Sequence, residues 1–477
     1  MSTLGFSTTI WATRAEDVID SSKAVAGLLD FDEDHGFELT IPWGILLDDP
    51  IDANGGCISS VVGVSADAVY GFSQKGDYLV LRDVTSPGHS EAFPGFAKQV
   101  LKGSSLLASH HPIEADPEVV VADIEIPGLK EWAGRIPLDI VPTYKGNALD
   151  KLSFTFESEN MQSIPLMETE EVRISVENKG AIAGGRVPSF SFEFSTDRFL
   201  RIEMASAPIS LEEMLDRWVY PTVNFFSFCM GFKYAATSIK FVTAEQHEVS
   251  YYVRQVGAKG SPSDAQLSTM PFPYSEIKDQ AAGMLEPWMK FGPYARNGSK
   301  LLVSLMNSGN MPLDMIFLAS AQALEAMSRD GVDEREFSNE QLHERLNAIQ
   351  DSSLPDATKD WAVSKLKYAN MKSANRLVSD LFRTIEPVAT YLVPNLSKFK
   401  KDHRELRNAF THRREVKTGN ELTRDQLYWH AQAVQLLVYS CTAVKLGLSP
   451  DSVLTLLKKT GFRSDAVYHA RKLYSKQ

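Results

Sequence analysis

Cysteine and long apolar runs are both scarce in this chain of 477 residues. Its cysteines, Cys57, Cys229 and Cys441, are widely separated and form neither a metal-binding spacing nor a disulfide framework, so a reducing cytoplasm is the expected location. The first residues contain no cationic segment followed by an apolar run. The densest apolar stretch, Ala433 to Val444, is too short and too polar to span a bilayer. We therefore expect neither a secretory signal nor a membrane partner.

The sequence also lacks the loops that mark several common enzyme classes. It has no Walker-type phosphate loop, no paired-glycine motif after a strand and no serine nucleophile elbow. The adjacent histidines His110 and His111 would project to different sides of a strand or helix, and no cluster of Cys, Asp or Glu completes a metal site around them. We interpret them as part of a loop, and we expect no metal and no cofactor.

An overall excess of positive charge is missing too. The chain has 49 Lys and Arg against 61 Asp and Glu, a net charge of -12, which argues against a protein coated for non-specific binding to nucleic acid. The segment from 398 to 417 reverses this balance, with eight basic and three acidic residues. Such a segment is either a solvated helix face or the basic surface of a site.

The first two-thirds of the chain is rich in strand patterns. Its short runs are alternating or β-branched, and clusters of Gly, Pro and Asn separate them. The predicted strands include Phe37–Ile41, Tyr78–Leu81, Val119–Ile126, Leu152–Phe156, Val172–Val176, Phe190–Phe194 and Glu248–Val256. One helix is predicted to interrupt them from Ser210 to Phe228, with Ser210 as its N-cap.

Strand patterns stop near residue 285, and helical periodicity follows. The predicted helices are Pro312–Ser328, Ser338–Ile349, Asp356–Leu366, Ala374–Leu392, Ser397–Thr411, Thr423–Leu446 and Asp451–Lys459. We therefore predict an α+β multidomain protein, in which a β-rich region over 1–285 is followed by an all-α bundle over 286–477. The first region is open to subdivision near residue 145 and contains a helical insert at about 210–230.

Two of the predicted helices, Pro312–Ser328 and Thr423–Leu446, are apolar nearly all round, as expected at the centre of a bundle. A polar residue buried on such a helix needs a partner. Gln322 and Glu325 are the conspicuous polar residues on the first helix. Glu325 either pairs with Arg407 across the bundle or points to solvent at the helix end.

The helix predicted over Ser397–Thr411 carries both an apolar face and a basic stripe. The face expected to dock on the bundle consists of Phe399, His403, Leu406 and Phe410. The stripe beside it consists of Lys400, Arg404 and Arg407. On such a face, His403 is interpreted as a packed and satisfied histidine. Tyr428 and His430, at the start of the next helix, either line the site or cap the surface, and we interpret them as surface caps.

The motif Arg407-Asn408-x-x-x-His412 ends this helix and poses a geometric problem. At about 100° per residue, Arg407 and His412 lie roughly 140° apart on an ideal helix, whereas Asn408 and His412 share a face. The two converge if the arginine sweeps round, if the helix ends before His412, or if a partner chain completes the site. The bare spacing is a weak signal, and its basic helical context strengthens it.

These residue types suffice, in principle, to cut RNA without a metal. His412 can remove the proton of a ribose 2′-hydroxyl or protonate the leaving oxygen, and Arg407 can stabilise charge on the phosphoryl oxygens. Asn408 could orient His412 or a phosphate. The product would carry a cyclic phosphate, and DNA would be inert because it lacks the 2′-hydroxyl. Supporting and RNA-binding candidates are Glu325, Arg404, Lys400, Lys401, Arg413 and Arg414.

The motif resembles the active-site signature of the HEPN superfamily of helical ribonuclease domains. Ala321–Met327 resembles the first core helix of that superfamily, and Tyr428–Leu448 its last long helix. The β-rich part is similar to the ApeA N-terminal domain, with matching pieces at Gly27–Phe31, Phe37–Ile41, Ile124–Trp132 and Val223–Ser227. The combined architecture is similar to the ApeA-like anti-phage HEPN proteins of bacteria. The charged Arg413 and Arg414 depart from the small residue that many relatives have after the histidine.

The resemblance implies an abortive-infection endoribonuclease that is silent until phage infection and then cleaves host RNA, with tRNA the expected substrate. It implies a phage-encoded trigger protein, a sensing or restraining N-terminal region, and a homodimer or higher oligomer whose HEPN domains meet at the site. The alternative is a non-catalytic HEPN-like scaffold or sensor in phage defence. A third interpretation, a nucleotide-binding partner of a nucleotidyltransferase, is disfavoured by the large β-rich region.

Overall fold

A computed structural model describes most of the chain, in two compact units. The described residues are 9–20, 22–32, 36–47, 63–86, 89–91, 97–134, 138–146, 148–156, 163–184, 192–233, 236–253, 268–306, 311–366, 370–412 and 422–475. The strand unit comprises 1–226 with 234–262, and the helical unit comprises 227–233 with 263–477. This division falls earlier in the chain than the boundary at 285, which remains a proposal, as does the subdivision near 145.

The strand unit contains the described β-strands, which pair antiparallel throughout. They are β1 (Thr9–Ala12), β2 (Val25–Asp32), β3 (Gly36–Ile41), β4 (Val64–Ser73), β5 (Tyr78–Ser86), β6 (His89–Glu91), β7 (Ala97–Gly103), β8 (Ser105–Ser109), β9 (Glu118–Glu125), β10 (Leu138–Lys145), β11 (Ala148–Phe156), β12 (Ile164–Glu168), β13 (Val172–Gly184), β14 (Phe192–Met204), β15 (Ile209–Ser210), β16 (Ser238–Thr243) and β17 (Glu248–Val253). The main sheet follows the order β12-β13-β14-β9-β16-β17-β8-β5-β4-β1-β2-β3-β7-β6, with β15 also on β9, while β10 and β11 form a separate hairpin.

One end of this sheet closes on itself, because β7 pairs with β5 as well as with β3. The apolar side chains that it encloses centre on Trp11. Two buried polar side chains lie among them: Thr9 accepts a hydrogen bond from Trp11 Nε1, and Gln99 accepts from two backbone N–H groups. Gly71 on β4 is required there, because a Cβ at Gly71 would come within 2.8 Å of the Trp11 ring. The alternating predicted strands are confirmed at β3, β5, β9, β11 and β13, although the ends of the predicted Phe190–Phe194 and Glu248–Val256 runs lie outside the described residues.

Helical segments in and after this sheet are α1 (Leu129–Trp132), α2 (Leu211–Glu213), a π-helical stretch (Met214–Val219) and α3 (Tyr220–Met230), with a short 3-10 turn at Ala15–Asp17. The predicted Ser210 cap is confirmed, because its side chain accepts a hydrogen bond from the Glu213 backbone N–H at 3.2 Å. Trp132 and Trp218 are buried core residues, whereas Trp43 is 67% exposed.

The helical unit contains the remaining described helices. They are α4 (Tyr274–Met289), α5 (Pro293–Leu305), α6 (Leu313–Arg329), α7 (Asn339–Gln350), α8 (Asp356–Leu366), α9 (Ala374–Thr384), α10 (Glu386–Leu392), α11 (Leu396–His412), α12 (Arg424–Lys445), α13 (Pro450–Thr460) and α14 (Ser464–Leu473). No described helix is both long and apolar enough to cross a lipid bilayer.

The helical prediction is wrong at particular positions. The single helix predicted over Ala374–Leu392 is two helices, because Pro387 cannot continue the preceding hydrogen-bond ladder and Ile385 leaves the helical region at φ -122, ψ 28. The prediction also missed α4, which contains Pro287, and α5, which begins at Pro293. It missed α14 because no side chain caps the start of that helix.

The middle of the helical unit is built on α6 and α12, as their apolar sequences predict. Phe317 and Ala321 of α6 pack with Ala431 of α12 and Leu406 of α11. Polar groups penetrate this core too. Gln435 is only 2% exposed, and its side-chain amide donates to Ser320 Oγ at 3.2 Å. The two central helices therefore present polar groups to each other and to α11.

Candidate functional site in the helical unit

Arg407 and Glu325 form the charged centre of the candidate site. Arg407 lies on α11 and donates from Nη2 to Glu325 Oε2 of α6 at 2.7 Å. The Arg407 side chain is 37% exposed and Glu325 is 24% exposed. The pair predicted across the bundle is therefore present, and the alternative in which Glu325 points to solvent is wrong. Its origin is the packing of α11 on α6, which brings the basic stripe alongside Glu325.

Glu325 is shared by two arginines. Arg329, one turn further along α6, donates to its other oxygen, Oε1, at 3.0 Å, and Arg329 also pairs with Glu334. An ion pair this exposed contributes on the order of 1 kcal/mol or less to stability. The Arg407–Glu325 pair matters more because it orients Arg407. One edge of the guanidinium is fixed, while about a third of the side chain stays open to solvent.

The motif helix continues through His412. The alternative in which the helix ends before His412 is therefore wrong, and about 140° of helix separates Arg407 from that position. The Arg407 fork reaches Glu325 on a different helix. Asn408 is exposed on the outer side. The side chain of His412, and the whole of Arg413 and Arg414, lie outside what the structure describes.

The other predicted site residues spread along α11 without converging on Arg407. Arg404 and Lys401 are exposed, and Lys400 is half-buried, where its Nζ donates to Ser379 Oγ of α9 at 3.2 Å. Among the described residues, no hydrogen bond or ion pair joins Arg404 or Asn408 to the Arg407–Glu325 pair. The basic stripe is thus a surface beside the charged centre.

A buried polar chain runs behind this surface, and sequence reasoning missed it. His403 Nδ1 of α11 lies 3.3 Å from His430 Nε2 of α12. His430 Nδ1 lies 2.6 Å from the Tyr474 hydroxyl, and the Asp402 carboxyl group lies beside that hydroxyl. The rings of Phe317 and Phe399 pack against both histidines. The chain therefore joins α11, α12 and the end of α14 through side chains alone.

Burial decides which side chains of this buried polar chain are charged. Burial first, and then the charge of Arg407, lower the pKa of His403 to about 4, with Glu325 acting in the opposite direction. Burial, followed by His403, lowers the pKa of His430 well below its ordinary value. Burial also raises the pKa values of Asp402 and Tyr474. Both histidines are consequently neutral near pH 7, where each offers one donor and one acceptor.

These contacts decide two interpretations made from the sequence. His403 is a packed and satisfied histidine, as predicted. His430 is 0% exposed, so its interpretation as a surface cap is wrong. The available signal was its spacing, because His430 falls on the apolar stripe of α12 between Leu427 and Val434. No pattern in the sequence indicated Tyr474 as the partner of His430, because the two residues are 44 positions apart.

The adjacent histidines of the strand unit do not form a metal site within the described residues. His110 pairs with Asp77 at 2.9 Å, and the His111 ring stacks on His247 with centroids 3.8 Å apart. No group of three or more His, Cys, Asp or Glu side chains suited to holding a metal occurs in the described ranges. Both histidines follow β8 in a bend, as the loop interpretation predicts.

The chain thus joins a strand-rich unit to a helical bundle in which α11 carries the Arg-Asn-x-x-x-His motif. Comparison with protein families agrees. The model for ApeA N-terminal domain 1 matches residues 11–288, and the model for the Apea-like HEPN domain matches residues 318–452. The chain therefore belongs to the ApeA-like HEPN family. Searches of curated proteins and of solved structures found no match.

Proposed function

We propose that the chain is an anti-phage HEPN endoribonuclease that cuts RNA without a metal, by attack of a ribose 2′-hydroxyl on the adjacent phosphate. The observation that carries the proposal is the Arg407–Glu325 pair, at 2.7 Å, on a basic helix that also bears Asn408 and His412. Glu325 fixes one edge of the guanidinium. Apart from that bond, Arg407 makes no hydrogen bond within the described part of the chain, so the rest of its fork is available to a phosphate.

The roles follow from the chemistry of each group. His412, with an ordinary pKa of about 6.5, would accept the 2′-hydroxyl proton or donate one to the leaving 5′-oxygen. Arg407 would stabilise the charge that develops on the phosphoryl oxygens. Asn408 would orient His412 or a phosphate, since both lie on one helix face. Arg404, Lys400, Lys401, Arg413 and Arg414 would hold the RNA backbone on either side.

A single α11 supplies these groups on different faces, so we propose that each chain contributes half of a site. A second copy would bring its own Arg407 and His412 across a HEPN–HEPN interface. The homodimer is then the smallest active form, and a monomer would cut poorly. We propose host tRNA as the substrate, in the cytoplasm, and restraint by the N-terminal region until a phage-encoded protein releases it.

The first experiment measures RNA cleavage in EDTA by the full chain, alone and in extracts of phage-infected cells, with sequencing of RNA ends that carry cyclic phosphates. We expect His412→Ala to abolish these ends. His343→Ala, an exposed histidine on α7, is the matched control and should cut like the wild type. Unchanged cleavage by His412→Ala would reject the assignment. Phage protection that survives both Arg407→Ala and His412→Ala would favour the non-catalytic scaffold.

A second experiment tests the shared site by mixing two inactive variants. If the arginine of one chain works with the histidine of the other, Arg407→Ala and His412→Ala chains should recover cleavage when they are co-assembled. Each variant alone should stay inactive. A mixture that forms mixed oligomers yet remains inactive would show that both residues must come from one chain.

A further inference from the structure

The helices α7 and α8 form a hairpin outside the core of the helical unit, and we call residues 338–366 the arm. Neither helix contains a buried residue, whereas α6 and α12 contain many. The two helices of the arm pack mainly on each other. Isolated helices of 12 and 11 residues are marginal in water, so a further partner would stabilise the arm.

The base of the arm is fixed to the rest of the helical unit. The buried Asn370 side chain accepts a hydrogen bond from the Phe337 backbone N–H at 2.8 Å and donates to the Phe337 carbonyl at 2.9 Å. The Lys372 backbone N–H donates to the Glu334 carbonyl at 2.7 Å. On α7, the Arg345 guanidinium lies 4.1 Å from the centre of the Phe337 ring. The arm is therefore held in position at its base.

Ion pairs connect this base to the charged centre of the candidate site. Glu334 pairs with Arg329, and Arg329 donates to Glu325 at 3.0 Å. The same Glu325 carboxylate accepts from Arg407. With 12 residues, α7 is about 18 Å long, so a molecule bound along the arm lies no further than that from its base. A partner of the arm would thus be close to the Arg407–Glu325 pair.

The outer side of α8 carries an exposed tryptophan. Trp361 is 63% exposed, and its ring makes no aromatic contact within the described part of the chain. Lys359 and Val363, which are half-buried, each lie about 160° round the helix from Trp361. Exposed apolar side chains nearby in the sequence are those of Leu354, Leu366 and Met371. Tryptophan is enriched among the residues that dominate protein–protein interfaces, so this face of α8 is suited to a protein partner.

The charges along α8 favour a second copy of the same helix as that partner. Asp356 and Asp360 precede Trp361, and Lys365 follows it. If two α8 helices pair antiparallel about Trp361, the acidic end of each lies alongside the basic end of the other. The two helix dipoles then also oppose each other, which is the favourable arrangement. The outer face of α8 is therefore complementary to itself.

We propose that α8 of one chain packs antiparallel on α8 of a second copy, with the two Trp361 rings meeting at the two-fold axis. Ala357 and Ser364 lie within about 60° of Trp361 on the helix, and their small side chains let the two helices approach closely. Both chains use the same surface, as a two-fold contact requires. The choice of partner rests on the proposed function, because the shared ribonuclease site also needs a second copy close to Arg407.

Sedimentation of the full chain over a range of protein concentrations tests the proposal. The wild type should self-associate, and Trp361→Ala should weaken this association at least about tenfold, because a central tryptophan contributes much of the binding free energy of an interface. Lys365→Glu should weaken it by a smaller factor, about two- to fivefold. Trp43→Ala is the matched control, since Trp43 is an exposed tryptophan of the strand unit, and it should associate like the wild type.

A cross-linking experiment tests the geometry directly. A residue at a two-fold axis lies next to its own counterpart, so Trp361→Cys chains should form a covalent dimer on mild oxidation. Reduction should reverse it. The wild type and Trp43→Cys are the controls and should stay unlinked under the same conditions, since Cys229 and Cys441 are buried.

The proposal is overturned if the wild type stays monomeric at high micromolar concentration, or if Trp361→Ala associates as the wild type does. Unchanged sedimentation of Trp361→Ala with faster proteolysis of the arm would assign the strand unit of the same chain to this face instead. RNA cleavage is measured separately on the same samples. A chain that associates through Trp361 but cuts no RNA would retain the arm contact and reject the ribonuclease, whereas a cutting enzyme whose association ignores Trp361 would do the reverse.

Discussion

In the strand unit, ion pairs lie near the surface: Arg201 pairs with Asp123, and Lys240 pairs with Glu248, and each of these side chains is at least 27% exposed. In the helical unit, polar side chains enter the core, where His430 and Tyr474 are both 0% exposed. Buried polar side chains of the strand unit, such as Gln99 at 1% exposure, bond to backbone atoms. The helical unit depends on polar partners that must all be present, because a buried group without its partner is costly. Catalysis that needs hydrogen-bond donors held in fixed positions is therefore expected in the helical unit.

The largest expected effect concerns the charged centre of the helical unit. Arg407→Lys keeps the charge but removes the planar fork, so RNA cleavage should fall by about 100- to 1000-fold while the melting temperature changes little. Arg201→Lys in the strand unit is the matched change and should leave cleavage intact. Initial rates of cyclic-phosphate formation measure both. If Arg407→Lys and Arg201→Lys lose the same amount of RNA cleavage, the proposed difference between the helical unit and the strand unit is contradicted.

The next effect concerns the buried polar chain. Tyr474→Phe deletes one hydroxyl and leaves the buried His430 Nδ1 without its partner, so the free energy of unfolding should fall by about 1–3 kcal/mol. Tyr468→Phe removes the hydroxyl from a tyrosine that is 61% exposed, and it should change stability by less than about 0.5 kcal/mol. Urea unfolding followed by circular dichroism compares them. If the Tyr474→Phe protein is as stable as the wild type, the buried polar chain is not needed for stability.

A smaller effect is expected from pH. The folded pKa of His403, about 4, lies below its unfolded value of 6.5, so the unfolded state binds more protons between these limits. The contribution of His403 to stability is complete above pH 6.5 and is lost as pH falls toward 4, by roughly 1–3 kcal/mol. The raised pKa of Asp402 acts in the opposite sense in acid. Melting temperatures from pH 7.5 to 4.5 test this, and His403→Gln should flatten the curve.

The smallest effect is expected in the strand unit. Asp123→Asn removes a surface carboxylate that accepts two bonds from Arg201, each at 2.7 Å. Exposed pairs of this kind contribute on the order of 0–1 kcal/mol, and salt screens them. Unfolding in low and high salt should differ little between this variant and the wild type. A loss above about 2 kcal/mol would show that the strand unit, too, depends on its polar pairs.

The sequence predicted best those features whose signals act between residues that are close together in the chain. Strand alternation and helix caps such as Ser210 act over a few residues, so those elements were predictable. The pairing of Glu325 with Arg407 was also within reach, because a carboxylate on an apolar helix requires a cation nearby. Pro287 lies inside α4, where local rules disfavour a helix, so tertiary packing outweighs propensity there. Pro293 begins α5, where proline is favoured, and this local signal was missed.

Contacts between distant residues could not be predicted in this way. Tyr474 and His430 meet only because α14 returns to α12, and no periodicity encodes that return. Arg407, Asn408 and His412 could be proposed together from their spacing. Their working geometry could not, because it depends on a neighbouring helix and, in our proposal, on a second chain.

The two bonds that join Tyr474, His430 and His403 also share one direction, because each neutral histidine offers one donor and one acceptor. With the Tyr474 hydroxyl donating to His430 Nδ1, His430 donates from Nε2 to His403, and the outer nitrogen of His403 is left as a donor. With His430 Nδ1 donating to Tyr474, both bonds reverse, and the same nitrogen becomes an acceptor. The position of one proton on His430 thus decides what His403, the neighbour of Arg407, offers at its outer edge.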